Sequence, residues 1–234
     1  MRMRLVARSA LTAVAFDVDP GEVDLTGWLE LARSGPGVLV LDGVMAVGVH
    51  VADRVAAELL GAGDLIQPCR ADDEELLPCD VDYKALTTTR FALLDGVFAE
   101  RIARWPQLSG LLLRRAGRRT RRLNLQRAIA AQPRLDVRLA LLLWHLAGRW
   151  GKVEPGGIRL PLPLTHQLLG RLVGAERPSV SHALSRLSDA GLVTGHGDEW
   201  HLHGSLNGQL PTMLDSIIGG VEPLSAAASF LGSS

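Results

Sequence analysis

The sequence predicts an α+β protein. It has an amino-terminal antiparallel β-roll of the jelly-roll type, a long helix, and a carboxy-terminal helix-turn-helix closed by a β-hairpin wing. Three observations carry this reading. Residues 1–94 alternate short apolar runs with glycine, proline and aspartate, the pattern of short strands joined by turns. Trp105-Pro106 ends one helical stretch, and Pro106 suits the first turn of a longer one running to about Ala131. Leu164–Leu192 reads LTHQLLGRLVGAERPSVSHALSRLSDAGL, two short amphipathic helices around a tight turn.

Within the roll, Val38–Val51 (VLVLDGVMAVGVHV) predicts a hairpin turning at Asp42-Gly43, and Thr87–Leu94 a closing strand. Asp95–Arg104 predicts a short helix. In the long helix, Leu108, Leu111, Leu112, Leu123, Leu125 and Ile129 offer an apolar seam that arginines interrupt. Its densest basic cluster, RRAGRRTRR (Arg114–Arg122), reads equally as a solvated face or a direct nucleic-acid contact. Gln132-Pro133 marks a hinge, and Arg134–Trp150 predicts a further helix. The division expected is 1–94 for the β-roll, 95–132 for the helical linker, 133–204 for the winged helix-turn-helix and 205–234 for a frayed tail.

The helix-turn-helix is specified residue by residue. Thr165 is an N-cap, and Leu164, Leu168, Leu169, Leu172 and Val173 form one apolar face. Gly174 supplies the turn, because glycine alone takes a positive φ cheaply. The second helix starts near Arg177, with Pro178 in its first turn, and Gly191 stops it. Val180, Ala183, Leu184 and Leu187 make the buried stripe; Ser179, Ser181, His182, Ser185 and Arg186 fall on the other side and stay available. Leu192–Thr194 and Glu199–His203 then predict two strands around a Gly195-His196-Gly197-Asp198 turn. Cap, turn glycine, proline start and wing in this order distinguish the stretch from an ordinary helix pair.

Charge points to the same partner. The formal net charge is zero, yet residues 1–100 carry 8 basic and 17 acidic side chains and residues 101–204 carry 17 basic and 6 acidic. A basic half facing nucleic acid and a separate acidic half fit this asymmetry. The longest apolar run, Leu139–Trp144, is far too short to span a bilayer, and the interrupted start MRMRLVARSALTAVAF does not read as a secretion signal. A cytoplasmic protein is expected, and in that compartment Cys69 and Cys79 seldom form a structural disulfide, which leaves a redox switch open.

Thr165, Gly174, Arg177, Val180, Leu184, Leu187 and Gly191 closely resemble the DNA-binding motif of the Crp-Fnr family of bacterial transcription regulators. Leu59–Ile66 (LLGAGDLI) resembles the turn and strand of cyclic-nucleotide-binding jelly rolls. The resemblance implies that Arg177 reads a guanine edge or holds a phosphate and that His182 is a second reader. Thr165, His166, Gln167 and Ser179 match phosphate-contacting positions, and His196 and Gly197 match the wing tip. Pro178 stands where many members carry glutamate, so a different recognised sequence is expected. The implied partners are double-stranded DNA, a second copy through the long helix, RNA polymerase and an unidentified small-molecule effector.

The resemblance also frames what is missing. Its cyclic-nucleotide site has a Gly-Glu-Leu helix start and an Arg-Ala pair, whereas Gln67–Ala85 has neither and carries Asp72-Asp73-Glu74-Glu75, which repel a phosphate. Arg70, the one arginine there, reads as a surface residue, and no response to cyclic nucleotides is expected. Two cysteines cannot supply the four that iron–sulfur members use. His50 is the one histidine of the β-domain, too few for a metal-dependent enzyme on a β-roll. His196, His201 and His203 read as wing residues rather than ligands, and no cofactor or catalytic motif is found. The rival class is a protein-binding adaptor that has lost DNA recognition; the retained Arg177 and intact turn argue against it.

Overall fold

In the computed structural model, residues 12–67, 80–196 and 198–204 are described. The chain divides into two compact units, Met1–Arg127 and Ala128–Ser234.

The first unit is a roll of two four-stranded sheets. One has the order β1 (Val14–Val18), β8 (Thr89–Leu94), β3 (Gly37–Asp42), β6 (Leu65–Ile66). The other runs β2 (Gly21–Glu22), β7 (Asp80–Ala85), β4 (Val44–Val51), β5 (Arg54–Gly61). Every pairing is antiparallel. The core between the sheets holds Val38, Val40, Met45, Val47, Leu60 and Phe91, and it also buries Leu25 beside α1 (Thr26–Leu31). From Phe91 to Leu94 strand β8 is apolar and buried because it is covered on both faces. Phe91 and Leu93 enter that core, while Ala92 and Leu94 pack on Phe98 and Ile102 of α2 (Gly96–Ile102). Leu108 and Leu112 of α3 (Pro106–Ala130) extend that second cluster. Asp95 caps α2 by accepting the Phe98 N–H at 2.8 Å.

Val38–Val51 forms two strands, but not the expected hairpin. β3 pairs with β8 and β6 while β4 pairs with β5 and β7, so the chain crosses between sheets at Asp42-Gly43. Gly43 takes φ +87°, and a Cβ there would sit 2.5 Å from the Thr88 carbonyl oxygen. The Val44 N–H is met by Thr87 Oγ1 at 2.9 Å. An Asp-Gly step serves a tight hairpin and a sheet-to-sheet crossing equally well. What decides is that β3 and β4 each need a facing sheet over their apolar sides, which only a sandwich supplies.

The arginine cluster of α3 divides by face. Arg114, Arg118 and Arg121 are exposed, as a solvated face requires. Arg119 instead pairs with Glu58 of β5 and donates to the Leu65 carbonyl oxygen at 2.9 Å, and Arg122 pairs with Asp64. Asp64 is buried in the turn between β5 and β6, where it also accepts the Gly61 N–H at 3.0 Å. Gln126 adds a hydrogen bond to the Ala57 carbonyl oxygen at 2.6 Å. The inward arginines therefore seat the long helix on its own β-roll, a role absent from both sequence readings.

The second unit begins with α4 (Leu135–Trp150) and continues through β9 (Lys152–Glu154), β10 (Gly157–Leu160), α5 (His166–Val173), α6 (Arg177–Asp189), β11 (Val193–His196) and β12 (Glu199–His203). The strands form one sheet in the order β11-β12-β10-β9. The wing is longer than expected: β11 starts at Val193 and includes Gly195 and His196, paired with Trp200 and Glu199. Two-residue hairpin loops let pairing run right up to the turn, which draws these residues out of it. The β9–β10 hairpin went unpredicted; its signal was Pro155-Gly156, with Gly156 at φ +93°.

Arg119→Met leaves Glu58, which is 12% exposed, without its guanidinium. It is expected to destabilise the protein by about 2–3 kcal/mol. Arg118→Met on the exposed face should stay within about 0.5 kcal/mol. The shift in denaturant midpoint separates the two.

Candidate nucleic-acid interface

The helix-turn-helix is built by local rules. Thr165 caps α5, its Oγ1 accepting the Leu168 N–H at 3.2 Å. Gly174 ends α5 in the left-handed region, at φ 68° and ψ 47°. The turn is closed by the Ala175 N–H donating to the Gly170 carbonyl oxygen at 2.9 Å, and Gly170 is glycine because a Cβ would strike the Ala175 carbonyl. Helix α6 opens with Pro178 in its first turn and buries Val180, Ala183, Leu184 and Leu187 against the unit's core. Core positions from α4 (Leu139, Leu142, Leu143) and from the sheet (Leu160, Leu202) are fully enclosed.

Of the expected contact residues, Thr165, Gln167, Arg177, Pro178, Ser179 and His182 are exposed; on α6, Pro178 and His182 lie opposite the buried stripe and Arg177 and Ser179 flank it. All but His182 lie at the amino-terminal ends of α5 and α6, where free amides and the helix dipole favour phosphate. Two residues read as available depart from that face. Ser181 is half-buried: its Oγ lies 2.8 Å from His166 Nδ1 and 3.1 Å from the Arg177 carbonyl oxygen. Three residues before Leu184, it sits on the edge of the buried stripe, not opposite it. Arg186 is exposed over part of its length but holds its Nε 3.6 Å from Asp136 of α4. The backbone of His196 lies in β11; Gly197 lies outside the described residues.

Asp136 is the residue sequence reasoning missed. An aspartate in the first turn of a helix reads as an ordinary dipole partner. In the fold it is 3% exposed, accepts from Arg134 at 2.7 and 3.2 Å and from the Val137 N–H at 3.0 Å, and faces Arg186. Burial pushes its carboxyl up. The Arg134 hydrogen bond, the Val137 amide and the charges of Arg134 and Arg186 outweigh burial and hold it below the usual carboxylate range. Arg138 was also missed; it donates to the Gln132 carbonyl oxygen at 2.5 Å and to that of Val173 at 3.4 Å, tying α4 to the end of α5.

The wing histidines have partners of their own. His203 Nε2 lies 2.8 Å from Thr194 Oγ1, and His201 lies 3.6 Å from Glu199. Among the described residues, no group of three or more histidine, cysteine or acidic side chains could hold a metal ion. In the first unit His50 pairs with Asp82 at 2.6 Å. A cavity of about 380 Å³ there is lined by Leu65, Ala99, Ile102, Leu112 and Leu113, with Gln67 and Ser109 as polar groups. Cys69, Cys79, Arg70 and the acidic run 72–75 lie outside the described residues.

Residues 137–203 match the Crp-like helix-turn-helix domain family. The chain is 28% identical over 199 residues to a CRP-like cAMP-activated global transcriptional regulator of Mycobacterium tuberculosis, covering 82% of this chain and 87% of that protein. Solved structures share the fold. A cyclic nucleotide-binding domain containing protein from Listeria monocytogenes superposes with a TM-score of 0.67 at 13% identity, over 86% of this chain and 97% of that one. FixK2 from Bradyrhizobium japonicum superposes with a TM-score of 0.62 at 17% identity, over 83% and 94%.

Because the folded Asp136 carboxyl is held below its ordinary value, its contribution is complete above the unfolded pKa and disappears as pH falls through the folded one. Asp136→Ala is expected to cost about 2 kcal/mol at neutral pH, and the gap to the unsubstituted protein should narrow on acidification. Thermal unfolding of both proteins across the acidic range checks this.

Proposed function

We propose that this chain, a Crp-like transcription regulator with a helix-turn-helix DNA-binding domain, acts as a homodimer that inserts α6 into the major groove of a palindromic operator. The carrying observation is that α6 leaves Arg177, at its first position, and His182 exposed, outside the stripe that fastens the helix to its unit. Arginine meets the O6 and N7 atoms of guanine in a bidentate fork, and one such pair discriminates by about 1–3 kcal/mol. Thr165, Gln167 and Ser179 hold the register through phosphates, and the wing around His196 and Gly197 touches the backbone. Pro178 offers an apolar contact instead of a hydrogen-bonding side chain. Two copies supply the two half-sites that one short helix cannot cover, joined through the long helix 106–130.

Residues 1–94 act as the sensor, 95–132 as linker and dimerisation helix, and 133–204 as the DNA reader. The M. tuberculosis relative is named cAMP-activated. In this chain the stretch 67–85 has no Gly-Glu-Leu and no Arg-Ala pair, and its four consecutive acids oppose a phosphate. The roll therefore either takes a different small molecule or is a ligand-free scaffold for dimerisation, and the output passes to RNA polymerase in the cytoplasm without catalysis by this chain.

Selection of genomic fragments by the purified protein should return a palindromic motif. Arg177→Ala should weaken binding to that motif by about ten- to a hundredfold while sparing motif-free binding. Weak binding with no motif, together with co-purification of a protein partner, identifies an adaptor instead. Calorimetry with cyclic AMP and cyclic GMP at micromolar concentration should show no binding heat; a saturating signal from either refutes the divergent-sensor reading.

A further inference from the structure

We infer that His166 is a positioning residue for the recognition helix, acting through Ser181, and not a DNA contact. Ser181 Oγ carries one proton and has two partners, the Arg177 carbonyl oxygen at 3.1 Å and His166 Nδ1 at 2.8 Å. A carbonyl oxygen can only accept, so the one arrangement in which both contacts are hydrogen bonds sends the hydroxyl proton to Arg177. The Ser181 oxygen then accepts from His166, which places the imidazole proton on Nδ1. The result is a relay from the first residue of α5, through a side chain of α6, to the peptide of the first residue of α6.

The surroundings hold the ring in this pose. The imidazole lies 6.4 Å from the Trp200 ring, centroid to centroid, tilted by 44°. Trp200 is 1% exposed in β12, so the wing backs the histidine from behind. Thr165 and Gln167, the neighbours of His166 on either side, are exposed, whereas His166 is half-buried. The helix that carries Arg177 is thereby fixed at two places: near its start by His166 and Ser181, and near its end by Asp136 and Arg186. A register error at the start moves Arg177 itself, so losing the relay removes sequence discrimination before it removes affinity for DNA in general.

The functional arm of this inference rests on the reading of the chain as a sequence-specific DNA binder; the structural arm does not. On the operator, His166→Ala and Ser181→Ala should each lower specific affinity by about tenfold. The double variant should fall no further than either single one, and the slope of log affinity against log salt should not change. His166→Asn, whose amide nitrogen falls where Nδ1 was, should restore binding, whereas His166→Gln, which mimics Nε2, should not. A salt slope reduced by about one in His166→Ala, rescue by Gln instead of Asn, or additive losses would overturn the inference and make His166 a phosphate contact. Without any DNA, nitrogen-15 NMR of the full chain should find neutral His166 as the Nδ1–H tautomer; the Nε2–H tautomer would also overturn it. A protein with no operator preference but an Nδ1–H tautomer sinks the DNA-binding reading and leaves the relay standing.

Discussion

The placement of the recognition helix depends on one buried carboxylate. Asp136 sits in the first turn of α4 with its oxygens taken by two arginines and a backbone amide. Arg134 precedes it in the chain, but Arg186 arrives from the far end of α6. Hydrophobic contact along Val180, Ala183, Leu184 and Leu187 sets which face of α6 is buried, yet apolar packing tolerates sliding and rotation. The ion pair of Arg186 with the buried Asp136, 3.6 Å apart, favours one setting of the two helices. Replacing a buried ion pair by apolar residues often leaves stability unchanged, so its value here lies in geometry. The helix that carries Arg177 and His182 is held by it.

The first unit uses the same device for a different helix. Asp64 and Glu58 lie in or beside the β5–β6 turn and receive Arg122 and Arg119 from α3. A long helix with a weak apolar seam would otherwise have little to hold it at one height along the roll, since Leu108 and Leu112 contact it only near the start. The ion pairs anchor the middle, and Gln126 anchors the region beyond them. A protein rich in arginine thus uses some guanidinium groups as internal fasteners and leaves Arg114, Arg118 and Arg121 in solvent. The gross charge asymmetry along the sequence therefore overstates the positive charge that α3 offers to an outside partner.

The second unit leaves polar residues exposed at the starts of α5 and α6, with an arginine at the first position of α6. These residues fall within 137–203, the stretch that matches the Crp-like helix-turn-helix domain. Similarity in the first unit is similarity of fold. The fold is shared architecture, whereas a ligand is selected by side chains.

What the sequence determined by itself is what depends on neighbours within a few residues. The Thr165 cap, the left-handed Gly174, the proline start of α6 and the buried stripe were all legible, because capping, φ restriction and helical periodicity are local. So were the short strands of the roll and the breaks at Asp95 and Pro106. The tertiary structure decided every choice that local chemistry leaves degenerate. Asp42-Gly43 suits a hairpin and a sheet crossing alike, and only the facing sheet chose. Arg119 and Arg118 are indistinguishable in sequence, and only the roll's acids separated them. Ser181 and His166 read as contacts until the approach of two helices and Trp200 turned them toward each other. Asp136 gave no signal at all, since its partner Arg186 is 50 residues away in the chain and the pair exists only once α4 and α6 are packed.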